Sequence, residues 1–128
     1  MLAVDTNVLV RLITRDDDEQ VDAAERFVAS GAWISHLVLA ETSWVLSASY
    51  DLKPDVIATA MEMLLNHRSL AVQDPDVVEA ALEQYRKRPA LGFSDCMVLE
   101  IARKAGHTPL GTFDKNLGKL KGVKRIQL

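Results

Sequence analysis

Four carboxylic acids stand where simple surface charge would be out of place: Asp5, Glu41, Asp95 and Asp114. Asp5 directly follows the apolar run Leu2-Ala3-Val4, and Asp114 follows Pro109-Leu110-Gly111-Thr112-Phe113, so each acid comes just past a short strand pattern. Glu41 falls at helical spacing with Leu37, Trp44, Val45 and Ala48, which puts an acid in a stripe expected to face the core. Asp95 lies one turn before Val98 and Leu99, on a stripe continued by Ala102. Each acid also has a plain structural reading. Asp5 would cap a segment from Thr6 to Leu12, Asp114 would shape a turn, Glu41 would sit half-exposed beside a cation, and Asp95 would favour a helix N-terminus.

As a set, the four acids point to chemistry. An unpaired buried carboxylate is costly, and several in one pocket repel until some take up protons or a cation joins them. Oxygen donors without paired cysteine or histidine suit Mg²⁺ or Mn²⁺ rather than Zn²⁺. The three histidines, His36, His67 and His107, have no metal-ligand spacing and read as surface or capping residues. A carboxylate-held Mg²⁺ keeps waters, is completed by phosphate oxygens, and lowers the pKa of a bound water. The reaction expected is phosphodiester hydrolysis, which needs no serine, cysteine or histidine nucleophile. No glycine-rich phosphate loop is present, which argues against nucleoside-triphosphate chemistry.

Cations for such a substrate are unevenly spread. Residues 1–64 hold 4 Lys/Arg and 11 Asp/Glu (net −7), whereas residues 65–128 hold 11 and 7 (net +4). The segment from Lys115 to Arg125 carries five positive charges and no negative one. Arg11, Lys115 and Lys119 are candidate phosphate contacts. The run Arg86-Lys87-Arg88 reads better as a helix C-terminus that favours cations.

The elements that must position these residues alternate between strand and helix. Leu2–Val4, Ala32–Ile34 and Leu70–Val72 read as short buried strands, Pro109–Thr112 as a weaker one, and Val123–Leu128 as a fifth. Helices are expected over Asp16–Ser30, from a Ser35 cap to about Tyr50, from Pro54 to about His67, from Pro75 to about Arg88, and from a Ser94 cap to Gly106. Short apolar strands alternating with helices predict one α/β domain over residues 1–128. Its architecture would be a three-layer α/β/α sandwich around a four- to five-stranded parallel sheet, with ligands at the carboxyl ends of the strands. The 128 residues suit one domain, the single cysteine forbids an internal disulfide, and no apolar run spans a bilayer. No signal-peptide pattern opens the chain, so a cytoplasmic location is the expectation.

The motifs resemble those of PIN-domain nucleases. Val4-Asp5-Thr6-Asn7-Val8-Leu9 is similar to the first acidic motif of that family, Leu39-Ala40-Glu41 to the second, Ser94-Asp95-Cys96-Met97-Val98-Leu99 with Ala102 to the third, and Leu110-Gly111-Thr112-Phe113-Asp114 to the fourth. The nearest likeness is to VapC-type toxins of toxin–antitoxin pairs. The resemblance implies an Mg²⁺-dependent endoribonuclease, a homodimer, a small cognate antitoxin, and structured RNA such as tRNA or ribosomal RNA as substrate. By position, Asp5, Glu41, Asp95 and Asp114 would be the metal-binding and catalytic acids. Thr112 would add a supporting hydroxyl, and Asn7 would support the pocket. Some relatives carry a further acid where this chain has Asn116, which implies a second ion less firmly held. Two other readings compete. A non-catalytic RNA- or protein-binding module would keep the fold without cleavage. A phosphatase using Asp5 would need a second Asp two residues on, where this chain has Asn7.

Overall fold

The computed structural model describes all residues from Met1 to Leu128. Its elements run β1 (Leu2–Ala3), α1 (Thr6–Thr14), α2 (Asp18–Val28), β2 (Ala32–Ile34), α3 (His36–Ala48), α4 (Pro54–Asn66), β3 (Leu70–Val72), α5 (Pro75–Lys87), α6 (Phe93–Lys104), β4 (Leu110–Thr112) and β5 (Val123–Arg125). Single 3₁₀ turns at Pro89–Leu91 and Leu117–Lys119 lead into α6 and β5.

Local chemistry explains most boundaries. Ser35 accepts a hydrogen bond from the Val38 amide at 3.1 Å and so starts α3 as the sequence predicts. Pro54 and Pro75 stand at the first positions of α4 and α5, where a missing N–H costs nothing. Asp17, rather than Asp16, caps α2 through the Gln20 amide. The cap expected from Ser94 does not form. α6 starts two residues earlier, from Gly92, whose φ of 79° is left-handed backbone that a side chain would strain.

All five strands are parallel, as expected for α/β, but they hydrogen-bond in two groups. β1, β2 and β3 form one sheet in that order, with Ala32 opposite both Leu2 and Leu70. β4 and β5 form a second sheet, with Leu110 opposite Val123 and Thr112 opposite Arg125. One apolar cluster runs through the molecule from Val4 to Leu120. Every helix contributes to it, through side chains such as Leu9, Val28, Leu39, Met61, Val78 and Met97, and β2 adds Ala32 and Ile34. β4 and β5 give it no fully buried side chain; Leu110 and Val123 only lean against it. α4, an apolar helix that could have served as an interface, is mostly core, burying Ile57, Ala58, Ala60, Met61 and Leu64.

Candidate functional site

Asp5 leaves β1 and enters α1. Its carboxylate accepts from the Thr6 amide at 2.7 Å, so it is a helix cap as well as an acid at a strand end. The neighbouring Thr6 hydroxyl is buried and has no hydrogen-bond partner. Asp95 occupies the first turn of α6 and is half-buried. Asp114 follows β4. Its amide donates to the Thr112 hydroxyl at 3.0 Å, and its carboxylate accepts from the Leu117 amide at 2.8 Å, which fixes the turn into the next 3₁₀ segment. Thr112 therefore shapes the backbone that presents Asp114.

The structure couples Asp95 to Asp114. Burial first, and then the Asp114 carboxylate, push the Asp95 carboxyl above its ordinary value. Neither acid has a lysine or arginine partner among the ion pairs of the molecule. Asp95 is partly desolvated, Asp114 is exposed, and neither has a cationic partner, so a cation would relieve the repulsion that Asp95 feels.

Glu41 is placed differently from the sequence expectation. It is exposed on α3, on a face shared with Leu37 at 76 % exposure and Trp44 at 63 %. The buried face of α3 is instead His36, Leu39, Thr42, Ser43 and Leu46. The helix is apolar nearly all round, so spacing alone offered two stripes, and packing chose the other one.

The donor chemistry suits a hard cation, since the candidates are all oxygens. The arrangement is less complete than the donor set. No three acidic, histidine or cysteine side chains lie together closely enough to hold a metal ion. Within the set, Asp95 lies near enough to Asp114 to feel its charge.

The other candidates separate clearly. Arg11 is committed within the fold: it donates to Asp16 at 2.9 Å, to the Tyr50 hydroxyl at 2.9 Å, and to Gln20. This network ties α1 to α2 and to the turn that follows α3, and it removes Arg11 from the free phosphate contacts. Lys115 and Lys119 are exposed and form no ion pair, so they remain available. Arg86 pairs with Glu62, and Lys87 with Glu83 at 3.1 Å, as expected of a helix C-terminus. Asn7 is exposed and lines a groove of about 470 Å³ with Val8, Arg11, Gln20, Ala23 and Phe27.

His36 corrects the surface-or-cap reading of the histidines. It is buried, its ring Nε2 lies 2.7 Å from the Gln73 carbonyl oxygen, and its amide donates to the Gln73 side chain at 2.9 Å. It joins the carboxyl ends of β2 and β3. His67 behaves as a turn residue, its Nδ1 accepting from the Ser69 amide at 3.1 Å. Two features escaped the sequence. One is the exposure of large apolar side chains on two packed helices, Leu37 and Trp44 on α3 and Val98 and Ile101 on α6. The other is Glu100, a buried acid with an unpartnered oxygen. Amphipathic spacing could have flagged Glu100, which stands four and three residues after buried Cys96 and Met97 and so falls on the buried face of α6.

Comparison with known proteins agrees with the motif reading. The sequence matches the PIN-domain family over residues 2–123. Among solved structures, the chain is similar to the Mycobacterium tuberculosis toxin VapC20, described as cleaving the sarcin–ricin loop. The two share 21 % identity over 97 % of this chain and 98 % of that one, with a TM-score of 0.44. No curated protein matches the sequence.

Proposed function

Because this chain belongs to the PIN-domain family, we propose that it is a metal-dependent endoribonuclease, the toxin of a VapBC-type pair. The observation that carries the reading is the Asp95–Asp114 pair: two acids at the start of α6 and the end of β4, one raised in proton affinity by burial and by the other, with no cationic side chain to neutralise them. A hard divalent cation, Mg²⁺ or Mn²⁺, would be held by this pair together with Asp5 and Glu41. When bound, it would activate a water and clamp the scissile phosphate. Thr112 orients the turn that presents Asp114, while Lys115 and Lys119 offer charge to the RNA backbone. Asn7 would support the pocket from the first turn of α1.

The substrate in this reading is a structured RNA of the tRNA or ribosomal class, the inhibitor is a small cognate antitoxin, and the location is cytoplasmic. No helix is long and apolar enough to cross a membrane. The protein would act as one domain over residues 1–128 and as a homodimer. The exposed apolar side chains Leu37, Trp44, Val98 and Ile101 on the two packed helices α3 and α6 are what such a pairing would cover. Sedimentation of the wild type as a dimer, and of Trp44→Asp as a monomer, is the expected result.

The deciding experiment is cleavage of structured RNA with Mg²⁺, with Mn²⁺ and with chelator. The nuclease reading expects cutting that depends on metal. The absence of an assembled group of three acids favours one second reading, a module that binds RNA without cutting it. Intact RNA that stays bound with metal present would establish that second reading.

A further inference from the structure

The two-stranded sheet carries Asp114 but hydrogen-bonds to no other strand. Something else must fix where Asp114 stands relative to Asp95. We infer that Glu100 and Arg103 form a positioning pair, a side-chain latch from α6 onto the start of β5 that holds Asp114 in register with Asp95. The inference rests on the proposed nuclease site and adds two residues to it.

Glu100 is the one buried acid of the chain, at 6 % exposure. Its Oε1 accepts from Arg103 Nε at 3.1 Å, and its Oε2 has no partner. A buried carboxylate kept in this half-satisfied state is costly unless its charge holds something in place. Here it holds the Arg103 guanidinium, which is 37 % exposed and reaches away from α6. Arg103 Nη2 donates to the Lys121 carbonyl at 2.9 Å.

That contact falls at a structural joint. The next residue, Gly122, has φ of 85° and accepts from the Leu110 amide at 2.9 Å, the first rung between β5 and β4. A Cβ on Gly122 would lie 2.9 Å from Arg103 Nη1, so the bare backbone is what admits the guanidinium. From Leu110, β4 runs to Thr112, whose hydroxyl accepts from the Asp114 amide. One path therefore leads from Asp95 down α6 to Glu100 and Arg103, across to Lys121 and Gly122, and back along β4 to Asp114.

The pair is a positioning device, since neither residue is among the candidate acids and both lie more than a turn along α6 from Asp95. It suits a sheet whose own strands bury no side chain fully, and it adds a polar hold to the apolar one that Leu117 and Leu120 of the connecting segment give.

The test uses the full chain with Arg103→Gln, Gly122→Ala and Glu100→Gln. Three measurements are made: amide hydrogen exchange, Mn²⁺ binding by electron paramagnetic resonance, and RNA cleavage. Arg103→Gln is expected to speed exchange at the Leu110 and Ile126 amides by about tenfold, leaving the Ala32 and Gln73 amides of the larger sheet within about twofold. Mn²⁺ binding should weaken by at least about fivefold, in keeping with the 10–100-fold losses seen when outer residues of metal sites are changed. Gly122→Ala, which keeps both side chains but crowds the guanidinium, should act in the same direction. It also serves if Arg103→Gln fails to fold. Glu100→Gln removes the charge that holds Arg103. It should loosen the Leu110 and Ile126 amides and weaken Mn²⁺ binding in the same direction, by less than Arg103→Gln because an acceptor for Nε remains. A Glu100→Gln variant identical to wild type in both would overturn the role of Glu100.

Exchange that is unchanged, or faster everywhere, overturns the latch. So does local loosening with undiminished Mn²⁺ binding. A wild type that binds Mn²⁺ but cuts no RNA defeats the ribonuclease reading alone, because the exchange and Mn²⁺ arms still judge the latch. A wild type that binds no Mn²⁺ defeats both.

Discussion

The three-stranded sheet and the two-stranded sheet are built from strands of two or three residues, but in opposite circumstances. β2 lies between β1 and β3 and buries Ala32 and Ile34 completely. The helices around it supply nearly all of the remaining core. β4 and β5 have only each other, expose Gly111, Lys124 and Arg125, and belong to a segment rich in positive charge. The first sheet holds Asp5 at its edge; the second delivers Asp114 and the free cations Lys115 and Lys119. The difference teaches that the stabilising part of this fold and its polar working part are separate. Groups that must meet charged ligands sit on the element with the least buried surface, where opening is least costly.

The largest effect should come from the site itself. Asp95→Asn is expected to lower RNA cleavage by about 10³-fold, equivalent to losing several kcal/mol of charge stabilisation. Asp114→Asn should act alike if the two sheets serve one centre, whereas cleavage that survives Asp114→Asn would uncouple the small sheet from the chemistry.

Core substitutions sharpen the contrast in stability. Leu99→Ala, at a position with no exposure, should cost about 2–5 kcal/mol in chemical denaturation. Leu110→Ala in β4 should cost about 1 kcal/mol, as only part of its side chain leaves water. Equal losses would mean that the small sheet is as much a part of the core as the large one.

Asp95→Asn should also change stability with a defined pH dependence. Folding raises the proton affinity of Asp95. The folded chain therefore holds more protons than the unfolded one between the ordinary carboxylate value and the raised one, and wild-type stability falls as pH climbs through that window. The variant escapes this loss. Its gain should be absent in acid below the ordinary value, appear across the window, and persist at neutral pH, as thermal melts at several pH values would reveal. A variant less stable at every pH would make Asp95 a structural cap instead.

Smaller effects test the cations and the thiol. Lys115→Ala and Lys119→Ala should each reduce the salt slope of RNA binding by about 0.7, the value for one released phosphate contact on a single strand. An unchanged slope would leave the positive segment without a role at the RNA. Cys96 is fully buried and its thiol is pushed up to about 12, first by burial and then by Asp95 and Glu100. Iodoacetamide at mildly alkaline pH should label it only when the protein is unfolded, because the thiolate is the reactive form. Rapid labelling of the native protein would show that α6 opens as readily as the small sheet is expected to.

The sequence by itself determined the order and type of most elements. It marks α1 only as a segment that Asp5 would cap, and β1, expected to be buried, has Leu2 and Ala3 exposed. Apolar runs at Leu2, Ala32 and Leu70, the Ser35 cap and the prolines at 54 and 75 act within a few residues, so their outcome is local. That is why Asp5 and Asp114 could be placed at strand ends. Only the tertiary structure decided which stripe of α3 is buried, that Arg11 is spent on Asp16 and Tyr50, that the five strands divide into two sheets, and that Asp95 comes near enough to Asp114 to feel its charge. An apolar helix has no single preferred face, and an edge strand offers unpaired N–H and C=O groups on both sides. Such choices are settled by what else arrives to pack or pair, and no local pattern encodes that.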